Sequence, residues 1–94
     1  MESSDIISEI EEIVKYQADK TYSKWMIGRT NDPEDSKTQR GEPDTWRNWD
    51  ASSTDDAEKV ELYFTDKGMR QDAESFSGAD FVYIFYIGSP QEKI

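Results

Sequence analysis

Residues 81–87 (FVYIFYI) constrain this chain more than any other stretch. The run is β-branched and aromatic, bounded by Gly and Pro, and reads as a central strand. The rest of the chain must cover it. Ninety-four residues fit one domain spanning 1–94, and a chain of that size has room for a single core. Only 34% of the residues are apolar, but 12 of them are Trp, Tyr or Phe. Each aromatic buries a large area, so a few can build the core. A disordered chain of the same charge would be poor in aromatics. The chain reads as folded.

Two amphipathic helices flank the interior of the sequence. Over 4–18, Ile6, Ile7, Ile10, Ile13, Val14 and Gln17 keep the three-and-four spacing of one helical face. Ser3 or Ser4 is the expected N-cap, and acids crowd the early turns, where the helix dipole favours them. The second helix is expected over 53–67. Asp55 and Glu58 stand at capping-box spacing, and Gly68 suits a left-handed C-terminal cap. Residues 24–29 (KWMIGR) read as a strand, followed by turn chemistry in Thr30-Asn31-Asp32-Pro33. A short polar helix over 34–40 begins at that Pro. A further strand over 45–51 rests on Trp46 and Trp49, which at a spacing of three point to opposite faces. Residues 70–80 read as a loop. The expected fold is α+β, with about three strands packed with the N-terminal helix and the second amphipathic helix.

Composition removes whole classes of chemistry. Cys and His are both absent, so any reaction must use carboxylates, Tyr, Ser/Thr, Lys or Arg. The net charge of −10 opposes general affinity for nucleic acid or anionic membrane. Within it, residues 24–47 are balanced, with Lys24, Arg29, Lys37, Arg40 and Arg47 set against five acids. No run approaches the roughly 20 apolar residues of a membrane span. The opening MESSDIISEIEE is neither basic nor continuously apolar, so no signal peptide is read there and a cytoplasmic location is expected. On the second helix, Ala57, Val60 and Phe64 form the apolar stripe, and Glu61 projects along the same arc. A carboxylate there is costly unless it is paired, hydrogen-bonded, bound to metal or set at a cleft edge; the plainer expectation places Glu61 at the stripe margin, reaching water or pairing with Arg.

The order WMIG-RTNDP, short polar helix, strand, then a helix bearing DAEKVELYF resembles the second half of the GIY-YIG nuclease domain. It is also similar to small bacterial proteins sharing an IGxTxDPE turn and a YFxDKGM helix end. Ile27-Gly28, Thr30, Asp32-Pro33-Glu34, Glu61 and Tyr63 through Met69 carry the likeness, over about residues 22–69. The resemblance implies a three-stranded antiparallel sheet, a catalytic Arg and a metal-binding Glu, here Glu61, with Mg²⁺ as the ion. Trp25 and Tyr83 would stand where the motif's tyrosines stand. The sequence departs from the family in several places. No GIY strand precedes residues 24–29, and Phe81-Val82-Tyr83 would fill its place as a circular permutation does. Asp35 and Ser36 occupy the positions where the Arg would fall, with Arg40 about one turn further on.

Three functions follow as expectations. The first is a GIY-YIG-like domain without nuclease activity, acting as a binding or regulatory module. The second is an acidic protein-binding domain or nucleic-acid mimic that meets a basic partner. The third is a weak Mg²⁺-dependent nuclease using Glu61 with Arg29, Arg40 or Arg47. Candidate binding-surface residues are Trp25, Gly28, Arg29, Arg47 and Tyr83.

Overall fold

A computed structural model of the chain describes residues 1–16 and 22–87. In chain order the elements are α1 (Ser3–Lys15), a 3-10 turn (Tyr22–Lys24), β1 (Trp25–Thr30), α2 (Pro33–Gln39), β2 (Arg47–Asp50), α3 (Thr54–Asp66), β3 (Arg70–Gln71) and β4 (Phe81–Tyr86). The apolar run becomes β4, an interior strand of a sheet ordered β2-β4-β1-β3. It lies antiparallel to both neighbours, with Ile84 opposite Ile27 of β1 and Val82 opposite Trp49 of β2. The fold is α+β, as expected. The sheet has four strands and is mixed, because Arg70–Gln71 pair parallel to Met26 and Ile27 where a loop was expected. Both β3 residues are exposed, so only backbone bonds hold that strand and no apolar pattern announces it.

Alternation along the strands sends side chains to two faces. On one face, Trp25, Ile27, Trp49, Val82 and Ile84 meet Ile6, Ile10 and Val14 of α1 and Ala57, Val60 and Phe64 of α3. Trp46, Tyr83 and Phe85 form a separate cluster, with Met26 and Ile87 against it. Trp49 and Trp46 therefore divide between the faces, as their spacing implies. Both are buried, and the Trp46 ring stacks on Tyr83 at 4.5 Å between centroids.

The helix ends differ from their expected positions. The helix expected over 4–18 is observed as Ser3–Lys15, and Gln17 lies outside the described residues. Its N-cap is Glu2, and neither Ser3 nor Ser4 serves. Before that helix, the Met1 amine donates to the Asp50 carbonyl at 2.6 Å and Ser52 N–H to the Met1 carbonyl at 2.7 Å. That pairing fixes the chain beside β2, and the helix starts as soon as the chain leaves it. The cap of α3 is Ser53, not Asp55: the Ser53 hydroxyl accepts from Asp56 N–H at 3.1 Å. Asp55 instead supplies first-turn charge. At the other end Gly68 adopts φ +114, as expected of a left-handed cap. Gly68 N–H donates to the Thr65 carbonyl and Met69 N–H to the Phe64 carbonyl, which is the Schellman arrangement. It folds Met69 back against the core.

Ser53→Ala is expected to cost about 1 kcal/mol of stability, whereas Ser4→Ala should cost close to nothing. Urea unfolding of the two variants beside the parent checks the difference.

Candidate functional site

Glu61 follows from its place on the buried stripe of α3. It is 1% exposed, and Arg29, near the end of β1, is 7% exposed. Arg29 Nε donates to Glu61 Oε1 at 2.7 Å, and the Ser75 hydroxyl donates to Oε2 at 2.6 Å. Both carboxylate oxygens are thus engaged. Arg29 Nη1 continues to the Ser77 carbonyl at 2.9 Å, while the Arg29 backbone N–H donates to Ser75 Oγ and its carbonyl accepts from Phe76 N–H. A buried pair of this kind repays its desolvation only when further hydrogen bonds complete both partners, as they do here. The network fastens the segment after β3 to β1 and to α3 together.

A second network occupies the other face. Gly28 sits directly opposite Tyr83, and a Cβ on Gly28 would lie 2.4 Å from the Tyr83 hydroxyl oxygen. Only glycine lets that phenol lie across β1. Tyr83 Oη then donates to Asp72 Oδ2 at 2.6 Å. Arg40, the C-cap residue of α2, grips the same carboxylate through Nε at 2.6 Å and Nη2 at 2.7 Å. Glu74 N–H adds a bond to Oδ1, and Asp72 N–H donates to the Ile27 carbonyl. Burial alone would raise the Asp72 pKa; hydrogen bonds from Arg40, Tyr83 and Glu74 N–H overcome it and hold the carboxyl below its usual 3.8. Burial, followed by the bond to Asp72 and its charge, pushes the Tyr83 phenol well above its usual 10.0. A phenol held that way keeps its proton at ordinary pH and is a poor general base.

The sheet separates the candidates that the sequence suggested as one site. Arg29 pairs with Val82 and shares the helix-covered face with Glu61, while Tyr83 pairs with Gly28 and shares the opposite face with Arg40 and Asp72. Glu61 is brought to Arg29 and not to Arg40. Of the expected binding-surface residues, Trp25, Gly28, Arg29 and Tyr83 are buried, because β1 and β4 are the two inner strands. Arg47, on the edge strand β2, is exposed. The Mg²⁺ ligation implied by the resemblance does not fit Glu61, whose oxygens face a guanidinium and a hydroxyl donor. Among the described residues, no group of three or more acidic side chains gathers to hold a metal ion.

Asp72 and Ser75 were not singled out in the sequence. Each lies in a polar stretch without periodicity, and its role comes from partners distant along the chain. Among the described residues, the buried indole nitrogens of Trp25 and Trp46 have no hydrogen-bond partner. Comparison with models of protein families, with curated proteins and with solved structures gives no match to this chain.

Glu61→Gln leaves the buried Arg29 without its countercharge and is expected to destabilise the fold by about 3–5 kcal/mol. Equilibrium denaturation measures that loss. For Asp72 the folded pKa lies below the unfolded one. Its contribution is therefore complete above the unfolded value and is lost as pH falls through the folded value. The stability gap between the parent and Asp72→Asn should hold from neutrality to about pH 5 and close below about pH 4. Thermal unfolding across that range tests the sign.

Proposed function

We propose that this protein is a GIY-YIG-like scaffold without nuclease activity, acting as a binding or regulatory module. One observation carries the reading: the groups that would make a phosphodiesterase site are divided by the sheet and closed into two internal networks. Glu61 is neutralised by Arg29. Arg40 is neutralised by Asp72, and Tyr83 is held protonated beside them. Phosphoryl transfer needs its cationic and basic groups converging on one phosphorus, with charge left over to meet the transition state. Neither network offers that. The scaffold half of the proposal is supported by the antiparallel pairing of β4 with β1, the adjacency that a permuted GIY-YIG sheet requires.

The partner in this reading is a basic protein surface, met in the cytoplasm. Support comes from the net charge of −10 and from exposed acids on the outer sides of α1 and α3, including Asp5, Glu12, Asp55 and Glu58. Such a field steers a cationic partner and sets its orientation more than it adds affinity. No described helix is long and apolar enough to cross a membrane.

Incubation of the native chain with Mg²⁺ and a short DNA duplex should give no cleavage above that of the Glu61→Gln variant. Metal-dependent cleavage that disappears in Arg40→Ala, with folding retained, would sink the proposal. A Lys/Arg-rich peptide should bind at low ionic strength and weaken about tenfold or more on going to roughly 0.3 M salt. Absence of binding at low salt removes the basic partner while leaving the non-nuclease reading in place.

A further inference from the structure

The side of α3 turned away from the sheet carries, beyond the acids already named, an apolar residue between a cation and an acid. Its buried stripe is Ala57, Val60, Glu61 and Phe64. At about 100° per residue, Asp55, Lys59, Leu62 and Asp66 fall on the opposite side in four-three-four steps, the spacing of a coiled-coil seam. Leu62 is 58% exposed and Tyr63 beside it 36%. A shallow depression there is lined by Lys59, Leu62, Tyr63, Thr65 and Asp66. Among the described residues, neither Lys59 nor Asp66 forms an ion pair.

We infer that this face is a self-complementary docking surface for a second copy of the chain, with two α3 helices packed antiparallel about a two-fold axis near Leu62 and Tyr63. The charges select that occupant. Two-fold symmetry makes residue i meet j while j meets i. With the axis between positions 62 and 63, Lys59 faces the partner's Asp66, and Asp66 faces the partner's Lys59. Leu62 then lies at the centre, facing the partner's Tyr63, with the two leucines side by side across the axis. The neighbouring register, which centres Lys59 on the partner's Leu62, sets Asp55 opposite the partner's Asp66 and is disfavoured by like charge. The ion pairs thus fix register and orientation, while the apolar contact and the aliphatic stem of Lys59 are buried between the helices.

The apolar area is small and both copies are strongly acidic, so the association is weak and transient. Its salt dependence has a definite sign. Screening relieves repulsion between two like-charged chains, so dimerisation strengthens as salt rises from low to moderate concentration. Capture of a basic partner weakens over the same range, which keeps this inference distinguishable from the proposed function.

Sedimentation velocity of the intact protein from about 10 μM to about 1 mM is the direct test, with a rising average mass expected at moderate salt. Lys59→Glu and Asp66→Lys should each abolish association, since each sets like charges face to face. Asp66→Lys does so although it makes the whole chain less acidic, an effect opposite to that of general charge. Mixed in equal amounts, the two variants should associate again: each introduced glutamate faces an introduced lysine, and each retained lysine faces a retained aspartate. A parent protein that stays monomeric at every salt concentration overturns the inference. So does association that survives in both single variants, or a mixture that stays monomeric.

Discussion

The carboxylate of Glu61 lies on the stripe by which α3 packs onto the sheet, where an unpaired charge would oppose folding. Everything on that side of the molecule depends on Arg29 meeting it. The guanidinium comes from β1, so the pair ties helix to sheet. Ser75 and the Ser77 carbonyl complete it, so the pair also ties down the chain between β3 and β4. A charge placed among apolar neighbours thereby gains directionality that hydrophobic contact lacks. It specifies which residue of β1 lies beneath which turn of α3, and it does so at the cost of desolvating two ions.

The sheet acts as a partition between this network and the one around Asp72. Among the described residues no long helix lies on its second face, and the covering comes from Trp46 lying flat on Tyr83, with Phe85 beside them. That arrangement requires Gly28, because a side chain there would collide with the phenol that bonds Asp72. Arg40 then joins the end of α2 to the same carboxylate. The connections α2 to sheet and β3 to β4 are therefore held by polar contacts, whereas α1 and α3 add a buried apolar stripe to theirs. An acidic chain with few aliphatic residues gains rigidity in this way where it lacks area to bury.

Legibility in the sequence followed the strength of local signals. The three-and-four spacing of Ile6, Ile10 and Val14, the FVYIFYI run and the Gly68 stop are each contained within a few turns or one strand, and each element formed where its pattern lay. Caps were less legible, since Ser3, Ser4, Ser53 and Asp55 all have cap chemistry. The choice of Ser53 depends on its extended backbone, and that of Glu2 on the pairing of Met1 with β2. Strand β3 was invisible because its two exposed residues contribute only backbone bonds. The position of Glu61 on the core-facing arc was legible, and Arg pairing was one of the resolutions such a burial demands. Which Arg was not, because Arg29 lies thirty-two positions away.

By itself the sequence determined the helices, the central strand, the absence of thiol and imidazole chemistry and the acidic character of the surface. These are properties of composition and of short-range periodicity, which any fold of this chain would express. The tertiary structure alone decided that Arg29 and Glu61 share one face of the sheet while Arg40, Asp72 and Tyr83 share the other. That division follows from strand register: Gly28 stands opposite Tyr83 and Arg29 opposite Val82, and a shift of one residue would exchange the faces. Register is set by the summed packing of both faces at once, a non-local quantity that no window of the sequence contains.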